Sequence, residues 1–378
     1  MALAYGHLST YPPTQCGLAT FAAALNHHIA ASAPDSRSRV VRVLGDTEPR
    51  MGAGGRRGVA HEMEPGGARA AAAVLDRCDV IVVQHEYGIY SGQDGDDVLA
   101  VLDRVRVPVV VVLHTVLTAP TPHQREVLEQ VVDRAAAVVT LSLSAQQRLL
   151  AGYAVRRPES VVVIPHGAVL TDRSDRIARG GRRPLVLTWG LLSPGKGIEW
   201  GISALRELRD LRPRYLVAGQ THPKVLARDG EAYRRGLRER AAAEGVANLV
   251  EFSSGYLSAG ALASLVSRAD VVLLPYDSTE QVTSGVLAEA LAAGRPVVAT
   301  AFPHAAELLA DGVGLLVPRH DAAAIASALR RVLTEPGLAG ELADRATAAA
   351  AGTGWPAVAA SYHSLACDVV AARTGVPA

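Results

Sequence analysis

The amino-acid sequence predicts an α/β protein made of two doubly wound domains, each built on a parallel sheet. Short β-branched runs alternate along the chain with Ala- and Leu-rich segments of helical period. The candidate strands are apolar throughout, as is usual where helices cover both faces of a sheet. A polar, charged and Gly-rich segment, "TDRSDRIARGGRRP" at 171–184, interrupts the alternation. This composition predicts a linker between two halves of similar size.

The first predicted domain covers residues 1–170 and the second covers residues 185–354. The candidate strands of the first domain are "HLST", "VVRVL", "DVIVVQH", "PVVVVLH", "AAVVTLS" and "VVVIPHG". Those of the second domain are "LVLTWG", "RYLVAG", "LVEFS", "DVVLLP", "PVVAT" and "GLLVP". Residues 355–378 form a helical tail without a partner strand, so we expect this tail to cross back and pack on the first domain.

Length and charge exclude several functional classes. The chain has 378 residues, enough for two separate cores, and its 38 basic and 37 acidic residues leave a net charge of +1. A balanced charge provides no field for binding nucleic acid. No apolar run approaches the roughly 20 residues of a transmembrane helix, the N-terminus does not resemble a signal peptide, and three scattered cysteines form no disulfide or zinc pattern. We therefore expect a cytoplasmic protein, with peripheral association at the inner membrane face left open.

Polar clusters follow the candidate strands in both domains. The six clusters are "STYPPTQCG", "QHEYGIYSG", "HTVLT", "GLLSPGKG", "GQTHPK" and "PYDSTEQVTSG". Ligands of doubly wound sheets bind beyond the carboxyl ends of the strands. The pattern predicts a shared ligand-binding cleft between the two domains.

The segment "WGLLSPGKGIEW" at 189–200 is typical of a phosphate site. Gly195 and Gly197 allow close approach of the backbone, and the helix that follows favours an anion at its N-terminus. Lys196 adds a mobile charge, which we expect to lie in a solvated cleft. The alternative is an ordinary Gly-rich turn with a solvated lysine. Only two of the 38 basic residues are lysine, which favours a specific role for Lys196.

The segment "VTSGVLAEALAAG" at 282–294 repeats this arrangement. It supplies a cap residue, a glycine and first-turn amides: Thr283 or Ser284, Gly285 and Val286. Glu289 lies four residues after Gly285, on the same helix face and one turn deeper. A buried carboxylate requires donors, which adjacent ribose hydroxyls would supply. The alternative is an ion pair with Arg295.

Further polar residues at strand ends allow more than one interpretation. His114 ends a candidate strand, where it is either structural or part of the cleft. The segment "PHG" at 165–167 favours a tight turn, and His222 remains ambiguous. Asp94 and Asp96 in "QDGDD" superficially match a metal motif, but acids that precede a helix more simply complement its dipole. We therefore expect no metal site.

These motifs together resemble the retaining glycosyltransferases of family 4, which have the two-domain GT-B fold. The pieces that carry the resemblance are "STYPPTQCGLATF", "HEYGIYSGQDG", "LHTVL", "IPHG", "GLLSPGKGIE", "VAGQTHP" and "SGVLAEALAAGRPVVAT". The resemblance covers essentially the whole chain and is nearest to a mannosyltransferase-like branch. It is not specific for the donor or the acceptor.

The resemblance implies roles for four residues. Gly17 matches the glycine that faces the donor phosphate, and His114 matches the histidine near the transferred sugar. Lys196 matches the lysine that binds the diphosphate. Glu289 matches the second acid of the paired-glutamate motif, which holds the nucleotide ribose. The first domain would then bind the acceptor and the second domain the nucleotide sugar.

Two positions depart from the family pattern. The usual diphosphate arginine is replaced by Leu191, so one cation is missing. The first acid of the paired motif lies eight residues before Glu289, which is Gln281, with Glu280 beside it. We expect Gln281 to face the sugar and Glu280 to face solvent.

The resemblance implies a metal-independent, retaining transfer of a hexose, with GDP-mannose as the favoured donor and no cofactor. The acceptor would be a hydroxyl of a small molecule, a glycan or a lipid-linked compound. The candidates for catalysis are His114, Lys196 and Gln281. Two alternatives remain open at this point: a nucleotide-sugar epimerase of the same architecture, and a non-catalytic protein that binds the nucleotide sugar.

Overall fold

A computed structural model describes residues 1–45, 48, 50–51, 58–171 and 182–374. The chain divides into two compact units. Unit 1 comprises Met1–Gly167 together with Trp355–Ala378, and unit 2 comprises Ala168–Gly354. Residues 172–181 of the predicted linker lie outside the described residues. In the described part of the chain, no helix has the length and apolar character that a membrane span requires.

Unit 1 is built on a seven-stranded parallel sheet. Its strands are β1 (Ala4–Ser9), β2 (Arg37–Val43), β3 (Val59–Met63), β4 (Val80–His85), β5 (Val109–Leu113), β6 (Ala137–Thr140) and β7 (Val161–Val163). They lie in the order β3-β2-β1-β4-β5-β6-β7. Its first five helices are α1 (Gly17–Ser32), α2 (Ala68–Leu75), α3 (Asp97–Leu102), α4 (Pro122–Arg134) and α5 (Leu143–Gly152). The strand order reverses between the neighbouring central strands β1 and β4. Their carboxyl ends therefore form a topological switch point, where ligands of such folds bind.

Unit 2 repeats the architecture with six parallel strands. They are β8 (Leu185–Trp189), β9 (Arg214–Ala218), β10 (Val250–Ser253), β11 (Val271–Leu274), β12 (Val297–Thr300) and β13 (Leu315–Val317), in the order β10-β9-β8-β11-β12-β13. Its helices are α6 (Ile198–Ala204), α7 (Pro223–Asp229), α8 (Ala232–Ala243), α9 (Ala259–Ser267), α10 (Gly285–Ala292), α11 (Pro303–Leu308), α12 (Ala322–Thr334) and α13 (Leu338–Ala349). Apolar clusters cover both faces of the sheet, which explains why its strands are apolar throughout.

The last helix, α14 (Trp355–Thr374), returns to unit 1 and packs against α1. Its buried face carries Val358 and Tyr362, which join the same apolar cluster as Phe21 of α1. Trp355 packs so closely on Gly167 that a Cβ there would lie 2.3 Å from the indole ring. The predicted fold class is therefore confirmed, including the return of the C-terminal helix.

The sequence prediction missed one strand, β3 (Val59–Met63). This strand lies at the edge of the sheet and carries polar residues such as Glu62, so it lacks the continuous apolar run of the others. Glu62 is buried because its carboxylate accepts a hydrogen bond from Arg42 of β2 at 2.7 Å. A strand that is buried partly through an ion pair lacks the continuous apolar pattern by which strands are recognised in a sequence.

Candidate functional site

The N-terminus of α10 has the arrangement predicted for an anion site. Ser284 is the cap residue, and its hydroxyl accepts a hydrogen bond from the amide of Leu287 at 3.2 Å. The amide of Ser284 donates to Nδ1 of His304 at 2.8 Å, which fixes the entrance of the helix. Gly285 and Val286 follow as the first two helical residues, whose amides have no acceptor within a helix. Two donors are thus presented at the start of α10.

Glu289 lies one turn deeper in α10, where it is half-buried. Its carboxylate accepts a hydrogen bond from Nε1 of Trp189 at 3.2 Å, and burial raises its pKa above the usual range, with the Trp189 bond acting in the opposite direction. Arg295 instead donates to the carbonyl oxygens of Ser267 and Ala269. The ion pair considered as the alternative is therefore not the contact that holds Glu289.

Lys196 lies against an aromatic ring rather than in open solvent. Its Nζ is 4.2 Å from the centroid of the Tyr276 ring, the side chain is half-buried, and desolvation lowers its pKa to about 8. Lys196 is thus less solvated than expected, because the loop folds onto Tyr276, two residues beyond the end of β11. Tyr276 is itself buried, and the charge of Glu289 contributes to raising its phenol pKa. Lys196 and Glu289 are therefore both close to one tyrosine.

The two glycines that flank Lys196 have different structural reasons. Gly195 has φ +86° and faces open space, so a Cβ there would meet no atom within 4 Å. Gly197 has φ +61°, and a Cβ there would lie 1.8 Å from the carbonyl oxygen of Pro275. The close contact with Pro275 is a sufficient reason for glycine at position 197. The space beside Gly195, in contrast, is open to a ligand.

The loop that carries Leu191 is held to the loop after β9. Leu192 donates its amide to the carbonyl of Gln220 at 2.9 Å, and the amide of His222 donates to the carbonyl of Leu192 at 2.8 Å. Burial lowers the pKa of His222, and the charges of Lys224 and Lys196 lower it further. Both lysines of the chain thus act on one imidazole beside the position where the cation of the family pattern is missing.

Gln281 and Glu280 lie in an irregular turn before α10. Both amides donate to the hydroxyl of Ser278 at 3.1 Å, and the side-chain amide of Gln281 donates to the carbonyl of Thr283 at 2.6 Å. Glu280 is half-buried, and the expectation that its side chain faces solvent stays a prediction. The Ser278 hydroxyl thus fixes the backbone of both residues in this turn. The contact of Gln281 with a sugar remains a prediction.

Substitutions at these two adjacent positions separate their roles. We expect Gln281→Ala to slow sugar transfer by about 1–3 kcal/mol, because it would leave sugar hydroxyls unpaired in a closed site. Glu280→Ala is expected to change the rate much less. Steady-state kinetics of both variants, with circular dichroism as the control for folding, provide the comparison. A larger loss in Glu280→Ala would show that Glu280 is the residue that faces the sugar.

The two predicted site residues of unit 1, Gly17 and His114, are connected through one phenylalanine. Gly17 is the exposed first residue of α1, and a Cβ there would meet no atom within 4 Å. Phe21 lies one turn further along α1, and its ring packs edge-on against the imidazole of His114 at 5.0 Å between centroids. Helix α1 therefore carries Gly17 and contacts His114 through Phe21.

His114 follows β5 and is neutral. Its Nε2 lies 2.7 Å from Oε1 of Gln84 at the end of β4. Desolvation lowers its pKa to about 3, with smaller contributions from His166 and His85. The sequence analysis missed the role of Gln84, as it missed Trp189 and Tyr276. The only signal was their place at the carboxyl ends of strands, within or next to polar clusters that had already been singled out.

Asp94 and Asp96 form contacts within the protein. The carboxylate of Asp94 lies 3.0 Å from Nδ1 of His123 and 3.2 Å from the side-chain amide of Gln124, both in α4. Asp97 occupies the first turn of α3. Among the residues that the structure describes, no cluster of three His, Cys, Asp or Glu side chains is arranged to hold a metal ion. Asp94 fastens the loop before α3 to α4.

Comparison with known proteins matches the part of unit 2 that contains Lys196 and Glu289. The family model described as "Glycosyl transferases group 1" matches residues 183–335. A D-inositol 3-phosphate glycosyltransferase of Nocardia farcinica is 30% identical over 322 residues, which cover 78% of this chain and 69% of that protein. An alpha-D-kanosaminyltransferase of Streptomyces kanamyceticus is 31% identical over 165 residues, 43% of this chain and 40% of that protein.

Solved structures show the same fold over nearly the whole chain. HepE of Anabaena in complex with UDP superimposes with a TM-score of 0.74 at 20% identity, covering 97% of this chain and all of that one. Sucrose-phosphate synthase of Thermosynechococcus elongatus gives a TM-score of 0.74 at 18% identity, covering 98% of this chain and 100% of that chain. The chain belongs to the glycosyl transferases of group 1 and is a glycosyltransferase with the GT-B fold.

Proposed function

We propose that this glycosyltransferase moves a hexose from a nucleotide diphosphate sugar to a hydroxyl acceptor, with retention at the anomeric carbon and without a metal ion. The observation that carries the proposal is the group formed by Lys196, Tyr276 and Glu289 beside the start of α10. It offers a cation and free amides to a diphosphate. It offers a carboxylate to a ribose one helical turn away.

The cation and the carboxylate both bear an energetic cost without a ligand. Desolvation disfavours the charged form of Lys196 and of Glu289, as the directions of their pKa shifts show. A diphosphate would offset the cost at Lys196, and two ribose hydroxyls would offset the cost at Glu289. Groups that are desolvated before the ligand arrives are typical of binding and catalytic sites.

The chemistry of the proposed transfer separates charge between the sugar and the leaving diphosphate. Preorganised donors aimed at the leaving group lower this barrier. The resemblance assigns His114 of unit 1 to the sugar, where a neutral imidazole can accept a hydrogen bond from a hydroxyl without adding charge. In the proposed reaction the leaving phosphate takes the proton of the acceptor hydroxyl on the same face, so the retained configuration needs no protein nucleophile.

GDP-mannose is the donor that the resemblance favours, and the relatives broaden the set of donors and acceptors to test. Their names refer to transfer to D-inositol 3-phosphate and to transfer of a kanosaminyl group, and HepE was solved with UDP and glucose. We propose a small polyol phosphate, a glycan or a lipid-linked compound as the acceptor.

A thermal-shift panel tests the donor first. GDP, UDP, ADP and TDP are added at equal concentration, and the correct nucleotide is expected to raise the melting temperature most. A ligand at a hundred times its dissociation constant adds about 2.7 kcal/mol to the free energy of unfolding. Release of that nucleotide from its sugar, measured with and without acceptors, then tests transfer. No binding of any nucleotide would contradict the proposal.

Sugar transfer is expected to continue in EDTA. The charge of the leaving group is met by Lys196 and by backbone amides, so removing divalent cations leaves the groups of the reaction in place. Initial rates in EDTA and in added Mg²⁺ or Mn²⁺ provide the measurement. A strict requirement for either metal ion would contradict the mechanism and would direct attention to Asp94 and Asp96.

A further inference from the structure

The end of β4 brings a buried glutamine against His114. Strands β4 and β5 are parallel, with Gln84 aligned to Val112 and His85 aligned to Leu113. His114 continues the ladder, since its amide donates to the carbonyl of His85 at 3.0 Å. Side chains alternate between the two faces of a sheet. His114 is two residues after Val112 and therefore lies on the same face as Gln84.

The orientation of the Gln84 amide determines which ring nitrogen of His114 carries the proton. Oε1 of Gln84 lies 2.7 Å from Nε2 of His114. An amide oxygen can only accept a hydrogen bond, so a proton on Nε2 satisfies this contact. Nδ1 is then an acceptor, and it has no hydrogen-bond partner among the described residues. The reverse orientation of the amide would place the proton on Nδ1 instead.

Burial makes the contact specific. Gln84 is 1% exposed, and its Nε2 has no hydrogen-bond partner among the residues of the described chain. Its contact with His114 is thus its only side-chain hydrogen bond in that part of the chain, and the Tyr90 hydroxyl fixes its backbone carbonyl at 2.7 Å. The other titratable groups that act on His114 are His166 and His85, and burial keeps both neutral, with pKa values lowered to about 4.

We propose that Gln84 is a positioning residue, which holds His114 as the Nε2-protonated tautomer so that Nδ1 accepts a hydrogen bond from a hydroxyl of the bound sugar. The inference rests on the proposed function for the identity of the hydroxyl donor. The tautomer itself is a property of unit 1 and does not depend on that function. Gln84 acts through His114 and does not touch the sugar.

The tautomer can be measured directly in the wild-type protein. Uniformly ¹⁵N-labelled protein gives long-range proton–nitrogen correlations for each imidazole, and a His114→Gln variant identifies the His114 signals. The expected result is a neutral ring protonated on Nε2 across pH 5.5 to 9. A ring protonated on Nδ1 in the wild type would overturn the proposal without any substitution at position 84.

Three variants separate positioning from packing. Gln84→Leu is expected to remove the preference for the Nε2 tautomer and to lower kcat tenfold or more, with a smaller change in the KM of the donor. Gln84→Glu places a carboxylate beside Nε2, favours the imidazolium and is expected to make kcat fall as the pH decreases. Gln146→Leu is the matched control. The side-chain amide of Gln146, in α5, donates to the carbonyl of Val161 in β7, away from His114. This variant is expected to leave the His114 tautomer and the pH profile unchanged.

The outcomes distinguish this inference from the proposed function. An unchanged tautomer in folded Gln84→Leu would overturn the inference even if the wild type transfers sugar. A wild type that holds the Nε2 tautomer but turns over no nucleotide sugar would leave the positioning by Gln84 in place and overturn the proposed function. A pH profile of Gln84→Glu identical to that of the wild type would also count against the inference.

Discussion

Lys196→Ala is expected to abolish most sugar transfer while leaving the protein folded. Lys196 is the cation that we assign to the leaving diphosphate, and preorganised groups of this kind contribute about 2–4 kcal/mol to transition-state stabilisation, a loss of roughly 30- to 1,000-fold in rate. Steady-state kinetics with saturating donor provide the measurement. Turnover at the wild-type rate by a correctly folded variant would refute the phosphate role.

The pH dependence provides a second test of Lys196. Its pKa is lowered to about 8 by desolvation, so the charged form required for phosphate binding is lost from the free enzyme above that pH. We expect kcat/KM to decrease above about pH 8. Lys196→Met should remove this step.

Stability is expected to change in the opposite direction to activity. The pKa of Lys196 is lower in the folded state than in the unfolded state, so the unfolded state binds more protons between about pH 8 and 10.5 and stability rises with pH in that window. Lys196→Met should therefore stabilise the protein at pH 7, less so above pH 8. Arg228→Ala serves as the control, since Arg228 is an exposed cation of α7 that is paired with Asp229. It should change neither the stability nor the pH dependence of kcat/KM.

Glu289→Ala is expected to weaken nucleotide binding in both the ground state and the transition state. The carboxylate would accept hydrogen bonds from the ribose, and hydrogen bonds to charged groups contribute about 1.5–3 kcal/mol each. The dissociation constant of the nucleoside diphosphate should rise at least tenfold, and KM for the donor should rise more than kcat falls. Calorimetric titration of the nucleotide provides the measurement.

Glu289→Gln separates the ribose contact from the structural contact with Trp189. The amide oxygen can still accept a hydrogen bond from the Trp189 indole, so packing is retained while the charge is removed. We expect an intermediate loss of affinity. Because burial raises the pKa of Glu289, the folded state binds the extra proton and stability falls as the pH rises from the unfolded value of about 4.3. The glutamine variant should lack that decrease. Unchanged nucleotide affinity in both variants would leave Glu289 with a structural role only.

The fold could be predicted because its signal is repeated along the chain. Valine-rich strands such as β5 and Ala- and Leu-rich helices recur in order, and each repetition supports the same architecture. The edge strand β3 was missed because its burial depends on the contact between Glu62 and Arg42, which a single sequence does not reveal.

The candidate site could be predicted only in its polar residues. Lys196, Ser284 and Glu289 were found from charge, capping and helical spacing. Two aromatic residues complete the group: Trp189 is the last residue of β8, and Tyr276 comes two residues after β11, a neighbouring strand that is far away in sequence. The desolvation of Lys196 is a tertiary effect, since the lysine packs on Tyr276 from a distant part of the sequence. It could not be derived from the local composition of the loop, which is polar.

The return of α14 to unit 1 has a consequence for the order in which the chain folds during synthesis. Unit 2 is continuous in sequence, whereas unit 1 is assembled from residues before it and after it. Until Trp355 and Tyr362 have been synthesised, the apolar face of α1 around Phe21 lacks its covering helix. Unit 2 can therefore complete its core while unit 1 still exposes apolar surface to the cell. We expect chaperones that bind nascent chains to engage unit 1 for longer than unit 2.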